Sequence, residues 1–450
     1  MHRGYIFVFV LALVACQTIP SSQAKRPELL EERLEAVSNY LILGDAEKAI
    51  AIYEEAIKTQ PDDPSTHVLY ARLLLLGNRL DEAEKELNQV LKLQPNNEDA
   101  LFALSLLCSL KGDTQKQKAL LDKVIAISPM HSEALASRGL LELEENNYHK
   151  AKEFFDRART ADPLNLTAIL GLGHASYRGK NWQDAKKYFD EAIEIDPSYS
   201  FAYADRALVK RMMGDLVGAI EDLNRAIELE PDYAYNYYDR GRIYMDQGRV
   251  EEALKEFDKA IERDAQLFIA YVMRAGLHDD LGHIDNAIAD YETILKLRKG
   301  YYYAYSQLGT LYMIKGYFAK AHSMFDNAFL AEPELSEYAL LATLALKKAK
   351  KEEEALKYLN KKIGLFPKDQ WQYQIALFYL TPSVDFNAVN TASREKNLVL
   401  RGRMLYYLAE QYLLLNKIPT AKTYFQEAAN IQRQGLIEKK LAQATLSQLN

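Results

Sequence analysis

The sequence predicts an all-α protein, a right-handed α-α superhelix of stacked helical hairpins, and three observations predict it. A 34-residue frame starting at Leu30 runs ten times to Asp369 without insertion or deletion. Within a frame, positions 4, 7, 8 and 11 recur at i, i+3, i+4, i+7, the stripe of one amphipathic helix, and positions 20, 24, 27 and 28 repeat it for a second. Positions 8 and 20 are mostly small, as in Ala71 and Ala83 or Gly139 and Ala151, while position 24 is large, as in Phe155, Phe189 and Phe257. Two backbones can therefore approach closely with a bulky side chain filling the gap beside them. One hairpin cannot bury its own face, so stability must come from stacking on its neighbours.

The elements follow in chain order. Residues 1–15 combine Arg3 with an apolar run from Ile6 to Ala15, which has the length of a signal-peptide core and is too short for a membrane span. The run ends Leu13-Val14-Ala15-Cys16, similar to the lipobox of bacterial lipoproteins. That resemblance implies cleavage before Cys16 and acylation of its thiol, palmitate among the acyl groups. The alternative is an ordinary secretory signal whose apolar run happens to end at a cysteine. Residues 16–29, rich in Pro and Ser, read as a flexible tether with a reach of roughly 20 Å. Gln17 after the cysteine, where Asp is absent, is associated with outer-membrane sorting.

Residues 30–369 hold the ten repeats. Gly44, Gly112, Gly214, Gly248, Gly282 and Gly316 fall between the two stripes, where a helix end and a tight turn favour positive φ. Proline closes eight frames at position 32, Pro61 and Pro333 among them, and stops the second helix; Ala265 and Lys299 replace it in frames seven and eight. The whole pattern resembles the tetratricopeptide repeat (TPR), and the resemblance implies a solenoid of about ten regular repeats. In residues 370–450 the register breaks. Gln370–Leu380 reads as an apolar helix and Thr381–Ser393 as turn, a degenerate eleventh unit follows, and Leu436–Leu449 reads as a capping helix that closes the open end.

Trp371, Phe378-Tyr379-Leu380, Tyr406-Tyr407-Leu408 and Tyr412-Leu413 are also similar to the C-terminal half of the NlpI-type outer-membrane TPR lipoproteins. That resemblance implies an adaptor at the bacterial envelope, facing the periplasm, whose partners include a protease or peptidoglycan hydrolases.

Composition narrows the chemistry. Sixty-three acidic against 56 basic residues leave a net charge of −7, which argues against a nucleic-acid partner. Two cysteines exclude a disulfide scaffold, and with Cys16 acylated Cys108 has no partner and sits at a buried position of frame three. His278 and His283 are spaced five apart across a helix end, a spacing that does not converge on a metal as the HExxH pair does. Gly171-Leu172-Gly173 lacks the preceding strand and third glycine of a dinucleotide loop and reads as two packing positions. No catalytic, metal or cofactor site is expected.

Thirty tyrosines point instead to binding. Positions 2, 5, 9, 12 and 13 share the arc opposite the packing stripe, and in TPR arrays that arc lines the concave groove. Phe201, Tyr235, Tyr238, Ile269 and Tyr303 fall there, with Tyr199, Tyr233 and Tyr301 just before it at position 34. Arg242 with Arg211, Asp246, Asp279 and Asp280 supplies a charged rim. These residues are the candidate peptide-binding groove; the competing reading is that the aromatic rings only stack on one another. Tyr203, Tyr237, Tyr271 and Tyr305 at position 4, and Arg138, Arg206, Arg240 and Arg274 at position 7, read as scaffold. The Lys and Asn that a chaperone-carboxylate clamp carries at positions 5 and 9 of its leading repeat are missing.

The function expected is a membrane-anchored, non-catalytic scaffold that binds segments of envelope proteins in its groove. The alternative is a structural subunit of a secretin, pilus or transporter assembly that uses its outer surface. A homo-oligomer stays open.

Overall fold

The computed structural model describes residues 35–449 apart from 42, 44, 60, 384 and 434. The signal peptide, Cys16 and the tether lie outside the described residues. All regular structure described is helical, with no strand. First helices begin at Pro64 and then every 34 residues as far as Tyr302, and second helices at Ala46 and then every 34 residues as far as Glu352. Frame positions 1 and 17 are thus the helix starts.

Position 15 sets the turn inside each hairpin. From the second repeat to the tenth it has positive φ, whether it is glycine, as at Gly214 (84°), or not, as at Asn78 (57°), Lys180 (60°) and Lys350 (60°). The link between hairpins obeys a rule of its own. In the first nine repeats second helices end at position 30 with or without the proline: Arg263 and Leu297 are last residues where Ala265 and Lys299 stand in its place. Proline therefore accompanies this boundary without setting it, because the chain has to turn there to seat the next hairpin.

The core matches the steric pattern. Ala83, Ala151, Ala185 and Ala253 at position 20 are fully buried, as are Phe155 and Phe257 at position 24. A Cβ added to Gly139 would lie 2.7 Å from the Phe155 ring, and one added to Gly173 2.6 Å from that of Phe189. Gly171 is tighter still, at 2.4 Å from Phe155, so this glycine pair serves packing as expected. Cys108 is buried, and burial pushes its thiol pKa up.

Arginine at position 7 ties helices together. Arg206 bridges Asp190 (2.8 Å) of the preceding repeat and Asp222 (2.7 Å) of its own, and Arg274 does the same with Asp258 and Asp290, both at 2.6 Å. Tyrosine at position 4 reaches back to the carbonyl at position 32: Tyr237 to Pro231 at 2.9 Å, Tyr305 to Lys299 at 2.6 Å. Both sets are scaffold, as their regularity implies.

The chain divides into two compact units at Gln247/Gly248. In the C-terminal unit the last repeats share one core with Trp371–Leu380, the eleventh hairpin (Leu398–Leu414 and Ile418–Ala429) and the final helix, Ile437–Leu449. Thr381–Ser393 is not all turn. Phe386–Arg394 is helical, because Ala388 and Ala392, four residues apart, bury one face in that core.

Candidate protein-binding face

In the early repeats position 34 is a capping residue. Asp63 and Asn97 each accept a hydrogen bond from a backbone N–H of the first turn, at 2.9 Å. At Tyr199, Tyr233 and Tyr301 that cap is absent and an aromatic ring stands in its place. Losing a cap costs about 1 kcal/mol. Leu267, at the same position, also makes no side-chain cap.

In the N-terminal unit the rings form a continuous strip. Centroids lie 5.6 Å apart for Tyr199–Phe201, 5.1 Å for Phe201–Tyr233, 5.5 Å for Tyr233–Tyr235 and 6.5 Å for Tyr235–Tyr238. Arg242 covers the Tyr238 ring at 5.6 Å. Tyr199 is buried, and Phe201, Tyr233, Tyr235, Tyr238 and Arg242 are half-buried. The strip therefore stacks on itself and leaves part of its surface open to solvent. Burial raises the Tyr233 pKa to about 12 and also raises that of Tyr238, so both hydroxyls stay neutral.

A charged row runs beside the strip. His174 meets Asp205 at 3.1 Å, Arg242 donates to Asp239 at 3.2 Å, and Arg211 pairs with Asp246. Burial pushes the Asp239 carboxyl up to about 6, against the pull of Arg242 and Arg211. Asp205 and Asp239 occupy position 6, which the sequence reading missed. Positions 2, 6, 9 and 13 form their own i, i+4, i+7, i+11 stripe, and that spacing was the available signal.

In the C-terminal unit Phe268 and Tyr301 meet at 5.0 Å and Tyr301 and Tyr303 at 6.2 Å. Tyr303 is 47% exposed, and Ile269 and Tyr301 are half-buried. Asp279 of the expected rim is not free, since Lys440 of the final helix pairs with it. That helix is no simple cap. It packs against Tyr302–Lys315 as well as against the eleventh hairpin, folding back over first helices of earlier repeats.

His278 and His283 do come together, with ring nitrogens 3.2 Å apart, because the turn after Asp280 folds the second ring back onto the first. Among the described residues no group of three His, Cys, Asp or Glu side chains is placed to hold a metal, and no helix is long and apolar enough to cross a membrane. The aromatics behind the NlpI-type resemblance are core. Phe378, Tyr379, Tyr406 and Tyr407 are fully buried, and the Tyr379 hydroxyl donates to the Tyr407 carbonyl at 3.0 Å.

Tetratricopeptide-repeat family models match residues 40–108, 142–208, 211–272 and 269–301, together about half the chain. The chain belongs to the tetratricopeptide-repeat family. No curated protein matches it significantly in sequence. Among solved structures it is similar to a tetratricopeptide-repeat protein from Parabacteroides merdae, at 23% identity over 54% of this chain and 96% of that one, with a TM-score of 0.41. It is similar to PilF of Pseudomonas aeruginosa at 20% identity over 45% and 92%, also with a TM-score of 0.41. For YrrB, titled a TPR protein with an unusual peptide-binding site, the figures are 23%, 43%, 97% and 0.36. These likenesses concern the TPR fold alone.

Proposed function

We propose that this TPR protein is a non-catalytic adaptor, held at a bacterial envelope by a lipid on Cys16 and facing the periplasm from the outer membrane. It captures an extended or helical segment of another envelope protein along the first-helix face of repeats six and seven. The observation that carries the binding site is the strip from Tyr199 to Tyr238, with Arg242 at its end. It combines apolar area, neutral hydroxyls and few side-chain rotors on a rigid repeat, the features of a peptide-recognition surface. The mixed row of Asp205, Asp239, Arg211 and Arg242 beside it suits a segment that carries charges of both signs. A protease or peptidoglycan hydrolases are the partner classes that the NlpI-type resemblance suggests.

The test is site-specific photocrosslinking in the native envelope. A crosslinking amino acid at Tyr235 is expected to trap a discrete partner that Tyr238→Ala abolishes while helicity is unchanged. The same amino acid at Lys187, exposed on the second helix of repeat five, is expected to trap nothing. Adducts at Lys187 with none at Tyr235 would mean that the outer surface is the interface and the protein a structural subunit.

A further inference from the structure

The final helix, Ile437–Leu449, sits on the C-terminal unit as a ligand would. Glu438, its side chain 3% exposed, accepts from Arg403 Nε at 2.8 Å and from the Tyr407 hydroxyl at 3.3 Å. Arg403 is itself held by Glu337 at 2.8 Å. Two residues on, Lys440 pairs with Asp279 of repeat eight. Leu441 and Ala442 are buried between these polar anchors. Thr445 donates to Glu410, whose carboxylate also meets Lys348 at 2.9 Å.

The surface beneath is the same arc that lines a TPR groove. Asp279 and Met313 occupy position 12 of their repeats, and Ile314 and Lys348 position 13. The fit is incomplete, for a cleft of about 140 Å³ stays open between Met313, Ile314, Lys348 and Glu410 below and Leu441, Thr445 and Gln448 above. A helix laid down as permanent core buries apolar residues against apolar residues. This one adds polar fixings at Glu438, Lys440 and Thr445 to its buried Leu441 and Ala442, and the partners it would leave behind can be hydrated. It is joined to the eleventh hairpin by a coil that contains Gly435 at φ 74°.

We propose that residues 437–449 are a releasable occupant of the first-helix face of repeats eight to eleven. What displaces them is an amphipathic helix of a partner protein that repeats their pattern, Glu-x-Lys-Leu-Ala-x-x-Thr. The acid seeks Arg403, the base Asp279, the Leu-Ala pair the buried stripe, and the hydroxyl Glu410. This goes beyond the aromatic strip of the N-terminal unit and does not depend on it.

The test uses the full chain carrying Glu438→Lys and Lys440→Glu, with a fluorescein-labelled peptide of residues 436–450 as probe. The double variant is expected to bind the peptide at least tenfold more tightly than the unaltered chain does. Hydrogen exchange is expected to show loss of protection over 437–449 while Tyr302–Lys315 and Trp371–Leu380 keep theirs. Asp279→Lys paired with Lys440→Glu alone is expected to restore protection of the helix. If 437–449 and repeats nine to eleven lose protection together in every variant, the helix is core and the proposal fails. It fails equally if the opened chain does not bind the peptide. Protection of 437–449 that grows with protein concentration would make the occupant a second copy's helix and overturn the intramolecular seat.

Discussion

Lys180 and Lys350 hold a left-handed backbone at φ 60° where other repeats place glycine. For an L-residue with a Cβ this conformation costs about 1–2 kcal/mol. Replacing Lys180 by Gly is therefore expected to raise stability by about 1 kcal/mol, read as a higher urea midpoint with unchanged slope. Asp239 presents the opposite case, a residue whose cost depends on pH. Its folded pKa, raised to about 6, lies above its unfolded value near 4, so the folded state binds the proton more tightly. Its contribution is therefore most favourable below about pH 4 and is lost as pH rises through 6. Asp239→Asn is expected to match the unaltered chain at pH 4 and to exceed it by about 1–3 kcal/mol at pH 8 in paired denaturation curves. Equal stability at both pH values would show that Arg242 and Arg211 fully compensate the burial.

At the scale of the element, a repeated device joins some hairpins to the next, seen at Arg206 and Arg274. Each of these two arginines reaches the second helices of two repeats at once, and for Arg206 one of its acids, Asp222, is buried. Removing the guanidinium leaves that carboxylate with Lys210, at 2.8 Å, but without its two-pronged partner. Arg206→Ala is thus expected to destabilise the N-terminal unit by about 2 kcal/mol in chemical denaturation, less than for a buried charge left wholly unpaired. Arg206→Ala combined with Asp222→Ala should recover part of the loss, because the buried carboxylate is gone and Lys210, which is less buried, can reach water. The same logic explains why Tyr199 and Tyr233 tolerate a missing cap. Each helix start is already held by ring contacts and by the position-4 tyrosine behind it.

At the scale of the whole molecule, each unit carries a different version of the first-helix face. In the N-terminal unit it presents a half-exposed aromatic strip, and in the C-terminal unit part of it is covered by the chain's own final helix. Function at an envelope further requires an anchor, and a lipid on Cys16 supplies it in the proposed reading. Cys16→Ser is expected to move the protein from the membrane fraction to the soluble fraction without altering its circular dichroism. Retention of the variant in carbonate-washed membranes would rule the lipid out.

Much of the fold was legible because its signals are local. A 34-residue period, small residues at 8 and 20 with a large one at 24, and a left-handed turn at 15 act within one hairpin or between adjacent ones, so the paired helices, the core positions and the scaffold roles of Arg206 and Tyr237 could be read from the chain alone. The aromatic strip was readable for the same reason, since rings at positions 34 and 2 are two residues apart in the chain. Tertiary structure alone decided the rest. Lys440 and Asp279 are 161 residues apart, and nothing near either one encodes their meeting. The helix at Phe386–Arg394 likewise depends on a surface assembled by other parts of the chain. Periodic patterns report what a residue does to its neighbours in sequence, whereas the seat of the final helix depends on where several repeats have placed their charges in space.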